Sequence, residues 1–229
     1  MTKKKSSAAL IKKLTYWRDY NGTGDEYRRT HDLDCVLTGG DLNADTIFSL
    51  WLPLRYSLNY FDTPAWKHWK DVEYTELRPS LNLKAHAAFL NDMIEHTNDF
   101  LPPESELAQK LSTLFELGQE RCNVMLLPQG KRSWNSRRGF GPYWDYFPHF
   151  LFDLFEYAVC EDALQVWLRD ERLGPFFAGE NISKRNILDI AGTGNVCRHR
   201  PKEIKLELLL DNYITILRRR KQLLAAWAS

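Results

Sequence analysis

Apolar residues recur at helical spacing along much of the chain. Leu10, Leu14 and Trp17 stand at i, i+4 and i+7 behind two candidate N-caps, Ser6 and Ser7, which predicts a helix over about 7–20. Its other face carries Lys12, Lys13 and Arg18, and the run Asn21-Gly22-Thr23-Gly24 stops it. Leu83, Ala87, Leu90 and Ile94 mark a helix over 81–96, and Pro102-Pro103 separates it from a second over 104–120. The stripe of that second helix is Leu107, Leu111, Leu114 and Leu117. The longest helix is predicted over about 203–227, with Leu206, Leu210, Tyr213 and Leu217 along one face.

Strand signals are sparser. The apolar run from Cys122 to Leu127, closed by Pro128, reads as a strand. Pro148 suits the start of a helix through Tyr157, and 162–168 continues in helical style. Thr38-Gly39-Gly40-Asp41 is a turn, and 46–60 fits either two short strands or a buried helix. No repeat and no Gly/Ser-rich linker interrupts the sequence. The pattern predicts an α+β fold, helix-dominated with a small β-sheet, in a single compact domain over 1–229.

Composition narrows the class. With 44% hydrophobic and 13% aromatic residues in 229, the chain can bury a core and is not disordered throughout. A formal charge of +1 excludes a histone-like polycation. No apolar run approaches the roughly 18 residues needed to span a bilayer, and the basic start does not resemble a secretory signal. Cys35, Cys122, Cys160 and Cys197 are widely spaced without a CxxC pair, the pattern of reduced, buried thiols. These features predict a cytoplasmic protein with no cofactor, no metal and no membrane partner.

Charge is balanced overall and uneven locally. From Arg121 to Trp144 stand Arg121, Lys131, Arg132, Arg137 and Arg138 without an acid, while 92–120 and 145–180 are strongly acidic. The segment 129–144, QGKRSWNSRRGFGPYW, combines these cations with Trp134, Phe140, Tyr143, Trp144 and three glycines. Arginine forks suit phosphate oxygens, exposed rings suit stacked bases, and glycine permits close backbone approach. Lys131, Arg132, Trp134, Asn135, Arg137 and Arg138 are therefore candidate ligand contacts. Arg198, His199 and Arg200, just ahead of the terminal helix, could join them at its N-terminal end. The predicted partner is nucleic acid or a nucleotide. The competing account pairs the basic segment with acids of the same molecule.

Other groupings define alternatives. Arg28, His31, Asp32 and Asp34 form a polar cluster suited to a general base or a divalent metal, which would make a nuclease or hydrolase. A protein-interaction or homo-oligomer module built on the amphipathic terminal helices is the other alternative. Arg218, Arg219, Arg220 and Lys221 are consecutive, so they spread around a helix and suit its C-terminal dipole. Asn186 to Asn195, NILDIAGTGN, resembles the first motif of class I S-adenosylmethionine methyltransferases. It departs from that motif in acid-to-glycine spacing, and the 34 residues after it cannot supply the rest of a doubly wound sheet. Asn91 and His96 resemble the polar-x4-His signature of helical HEPN ribonucleases, with Asn91 standing where that family has arginine. NVMLLPQGKRSWNSRRG with the aromatic-rich helix after it resembles uncharacterised bacterial proteins of unknown function, over the second half only. That resemblance implies a bacterial or phage origin and assigns no reaction.

Overall fold

A computed structural model describes residues 42–48, 83–95, 106–118, 120–128, 146–157, 161–194, 196 and 205–228. Contacts group the chain into two compact units, Met1–Glu26 with Leu50–Glu116, and Tyr27–Ser49 with Leu117–Ser229. The described residues are helix-dominated. The helix predicted over 7–20 lies outside them.

In the first unit, α1 spans Leu83–Glu95. Phe89, which the expected stripe omits, is its fully buried ring. The next helix, α2, spans Glu106–Gly118, its last turn falling in the second unit. Leu107, Leu111, Leu114 and Leu117 are all buried, as their spacing predicts. Glu106 sits in the first turn, where the helix dipole favours an acid, and meets Lys110 one turn on at 3.0 Å.

The second unit is built around an antiparallel pair of short strands. β1, Leu42–Thr46, pairs with β2, Val124–Pro128, with Leu42 opposite Pro128 and Thr46 opposite Val124. The strand therefore starts later than the apolar run suggests, because Cys122 and Asn123 form a 3-10 turn with Arg121. Val124, Met125 and Leu127 are wholly buried, so β2 reads as a continuous apolar run rather than an alternating one. Asn123 fastens the turn to the chain leaving β1. Its amide nitrogen donates to the carbonyls of Phe48 and Gly118, both at 3.0 Å, and its amide oxygen accepts from the Phe48 N–H at 2.8 Å.

Among the described residues this unit also holds α3 (Phe147–Tyr157), α4 (Glu161–Asp170) and α5 (Leu206–Ala228). Pro148 stands in the first turn of α3, where its missing N–H leaves no bond unmade. Helix α4 ends in a Schellman motif: Leu173 N–H donates to the Leu168 carbonyl at 2.9 Å, and Arg172 N–H to Arg169 at 3.0 Å. Arg172 supplies the left-handed residue at φ 55, a place usually held by glycine. On α5 the predicted stripe of Leu206, Leu210, Tyr213 and Leu217 is buried. Phe48, Phe147, Phe176 and Tyr213 form the aromatic centre, with ring centroids 4.8 Å apart for Phe48–Tyr213 and 4.6 Å for Phe147–Phe176. Such tilted pairs add to the area they bury.

Candidate functional site

Lys131, Arg132, Trp134, Asn135, Arg137, Arg138, Arg198, His199, Arg200, His31, Asp32 and Asp34 all lie outside the described residues. Two described residues frame the 129–144 segment: Pro128, which ends β2, and Tyr146, which precedes α3.

At the front, the polar groups of Val124 and Leu126 are met by side chains. Arg220, with no exposed surface, reaches them from α5. Its Nη1 donates to the carbonyls of Cys122 at 2.6 Å, Val124 at 2.8 Å and Arg121 at 3.3 Å. Its Nε donates to the Glu171 carbonyl at 2.8 Å, and its Nη2 to Glu171 Oε2 at 3.0 Å. The Leu126 carbonyl accepts from Trp167 Nε1 at 2.6 Å, and the Leu126 amide supports the Glu171 carboxylate. Together they act as a third strand would, saturating a sheet edge that would otherwise stay open.

Burial dominates the electrostatics of this cluster. It pushes the Glu171 carboxyl up, against the pull of Arg220 and Arg121, and brings Arg220 down to about 10 despite the attraction of Glu171. The Cys122 thiol is pushed up to about 11, first by burial and then by the charge of Glu120. It is a buried, free cysteine, as cysteine spacing predicts, and it keeps its proton at neutral pH. Cys35, Cys160 and Cys197 lie outside the described residues.

At the rear, the Tyr146 carbonyl accepts the first helical bond of α3 from His149 at 3.0 Å, and its hydroxyl accepts the Ala191 N–H at 3.2 Å. Burial, with Tyr213 and Asp189 nearby, holds this phenol in its neutral form well above neutral pH. The Phe147 N–H approaches the Tyr213 hydroxyl of α5 at 3.4 Å. His149 is fully buried and meets the Tyr146 ring edge-on at 4.5 Å.

The basic runs divide into inward and outward members. Arg121, about a third exposed, turns back to the Val124 carbonyl and lies 3.9 Å from Glu171. Of the four consecutive cations near the end of α5, Arg220 is internal, Lys221 pairs with Glu120 at 2.6 Å, and Arg218 and Arg219 are exposed. Lys184 pairs with Glu156 and also sits 5.3 Å from the centre of the Phe152 ring. Sequence reasoning missed Arg220, Glu171 and Asn123, because nothing in a run of four cations or a lone acid says which member points inward.

The glycine-rich NILDIAGTGN segment closes on itself. Asp189 Oδ1 accepts from the Thr193 amide and hydroxyl, both at 3.0 Å, and Oδ2 from the Gly194 amide at 2.6 Å. Burial pushes this carboxyl up, but those bonds outweigh it and hold it below its usual range. Gly192 and Gly194 take φ of 65 and 83, which is what their lack of a side chain permits. Ile187 forms only an isolated bridge with Phe177, so the segment does not follow a strand of a parallel sheet as the methyltransferase motif requires. Lys205 precedes α5, and its amide donates to the Ala191 carbonyl at 2.8 Å.

Among the described residues, no three His, Cys, Asp or Glu side chains are grouped to hold a metal ion. Among them, no helix is long and apolar enough to cross a membrane. No known protein family, curated protein or solved structure matches the chain.

Proposed function

We infer that the chain binds a phosphate-bearing ligand, single-stranded nucleic acid or nucleotide, through the 129–144 segment. Lys131, Arg132, Arg137 and Arg138 contact phosphates in this reading, Trp134 stacks on a base, and Asn135 adds a directional hydrogen bond. Arg198, His199 and Arg200 extend the same basic surface. The observation that carries the reading is the interleaving of arginine, glycine and aromatic residues without a single acid from 129 to 144. Part of the acidic charge of 92–120 and 145–180 is already engaged elsewhere. Glu120, Glu156 and Glu171 already meet Lys221, Lys184 and Arg220, three cations from outside the segment.

Fluorescence anisotropy with labelled single-stranded DNA and RNA, at two salt concentrations, tests it. Affinity is expected to fall as salt rises, and Arg137→Ala with Arg138→Ala is expected to weaken binding and flatten the salt dependence. Competition by free nucleotide separates the two ligand classes. Binding that neither salt nor these substitutions affects overturns the reading.

A second reading, an oligomerisation module, is favoured by one feature: Trp227 near the end of α5 is 74% exposed and Leu223 is 40% exposed. Light scattering behind size exclusion, with Trp227→Lys as the comparison, decides it by mass.

A further inference from the structure

The last turns of α5 carry an exposed row of cation, leucine and tryptophan. Arg219, Leu223 and Trp227 stand at i, i+4 and i+8, which sets them along one side of the helix over about 12 Å. Arg219 is exposed, Leu223 is 40% exposed and Trp227 is 74% exposed. Arg218 is exposed beside them, and no Asp or Glu occurs from 212 to 228. Arg172, in the turn after α4, meets the row: its guanidinium lies over the Trp227 ring, 5.6 Å from the ring centre. Arg172 takes φ 55, where glycine would carry less strain, and the guanidinium is what glycine would lack. Glu171, the acid beside it in sequence, is buried against Arg220.

We propose that Arg219, Leu223 and Trp227, with Arg172, form a contact surface for single-stranded nucleic acid. The indole stacks on a base, Arg219 meets a backbone phosphate, and Arg172 holds the ring in place through its cation–π contact. The strand is single because a base inside a duplex stack has no free face to offer. Charge selects this occupant over a second copy of the chain. A second copy on this face brings another such set of cations beside the first, whereas a polyanion brings the opposite charge. The surface consists of described residues alone, and it shares the ligand class of the 129–144 reading but none of its residues.

Titration of the full-length protein with labelled oligothymidine at several salt concentrations tests the two roles separately. Trp227→Ala is expected to bind about fivefold or more weakly at an unchanged salt slope, because stacking releases no counterion. Arg219→Ala is expected to weaken binding and to make the slope shallower by about 0.7, the value for one phosphate contact on a single strand. Both side chains are exposed, so neither substitution disturbs the core. A duplex of the same length is expected to compete poorly. Variants that bind as the wild type does overturn the inference, and the 129–144 reading then stands or falls on Arg137→Ala with Arg138→Ala. A dimer by light scattering that Trp227→Lys converts to monomer, at unchanged oligonucleotide affinity, assigns the face to a second copy and also overturns it. A wild type that binds no oligonucleotide overturns both.

Discussion

Asn123 sits in a run that reads as strand, yet it is the side chain that ends β1 and begins β2. Its three hydrogen bonds satisfy both polar groups of Phe48 and the last carbonyl of α2, all in a buried place. Asn123→Ala leaves those backbone groups without partners, and the expected loss is about 3 kcal/mol in a urea denaturation experiment. Arg172 is a second position that propensity would not choose. An arginine at φ 55 carries local strain that glycine would not, and its guanidinium lies 5.6 Å from the centre of the Trp227 ring.

Among the elements, helices were legible and strand ends were not. The stripe of α2 and that of α5 matched burial because a helix repeats its buried face every three to four residues. β1 has the sequence LNADT, too short and too polar to show as a strand; β2 supplies the partner that makes it one. The loop at Asp189 is an element whose stability depends on pH. Its carboxyl titrates lower in the folded chain than the 3.8 of the free group, so its contribution is present above that value and lost as pH falls through the folded one. Asp189→Asn is expected to be less stable than the wild type at about pH 7, with the difference between the two denaturation curves shrinking as pH falls below the 3.8 of the free group.

At the scale of the molecule, the second unit depends on one cation buried without exposure. Arg220→Met removes the cation nearest Glu171 and the donor that serves the carbonyls of Cys122 and Glu171, and the expected cost is about 3–5 kcal/mol. Adding Glu171→Leu is expected to recover only part of this, because the backbone carbonyls of residues 122 and 171 still lack the donor that Arg220 supplied. A thermal melt of the two variants checks both statements. The same cluster draws two cations of the basic runs into backbone hydrogen bonds: Arg220, fully buried, and Arg121, about a third exposed.

By itself the sequence determined the helix-rich class, the buried faces of α2 and α5, the buried free thiol at Cys122, and the candidate ligand segment with its local excess of positive charge. Those follow from periodicity and composition, which are local properties of the chain. Only the tertiary structure decided which cation of four turns inward, that Asp189 closes its own glycine turn, and that residues 123 and 48, or 220 and 124, meet. The last two contacts join positions 75 and 96 residues apart, and no local pattern records a partner that folding alone brings near.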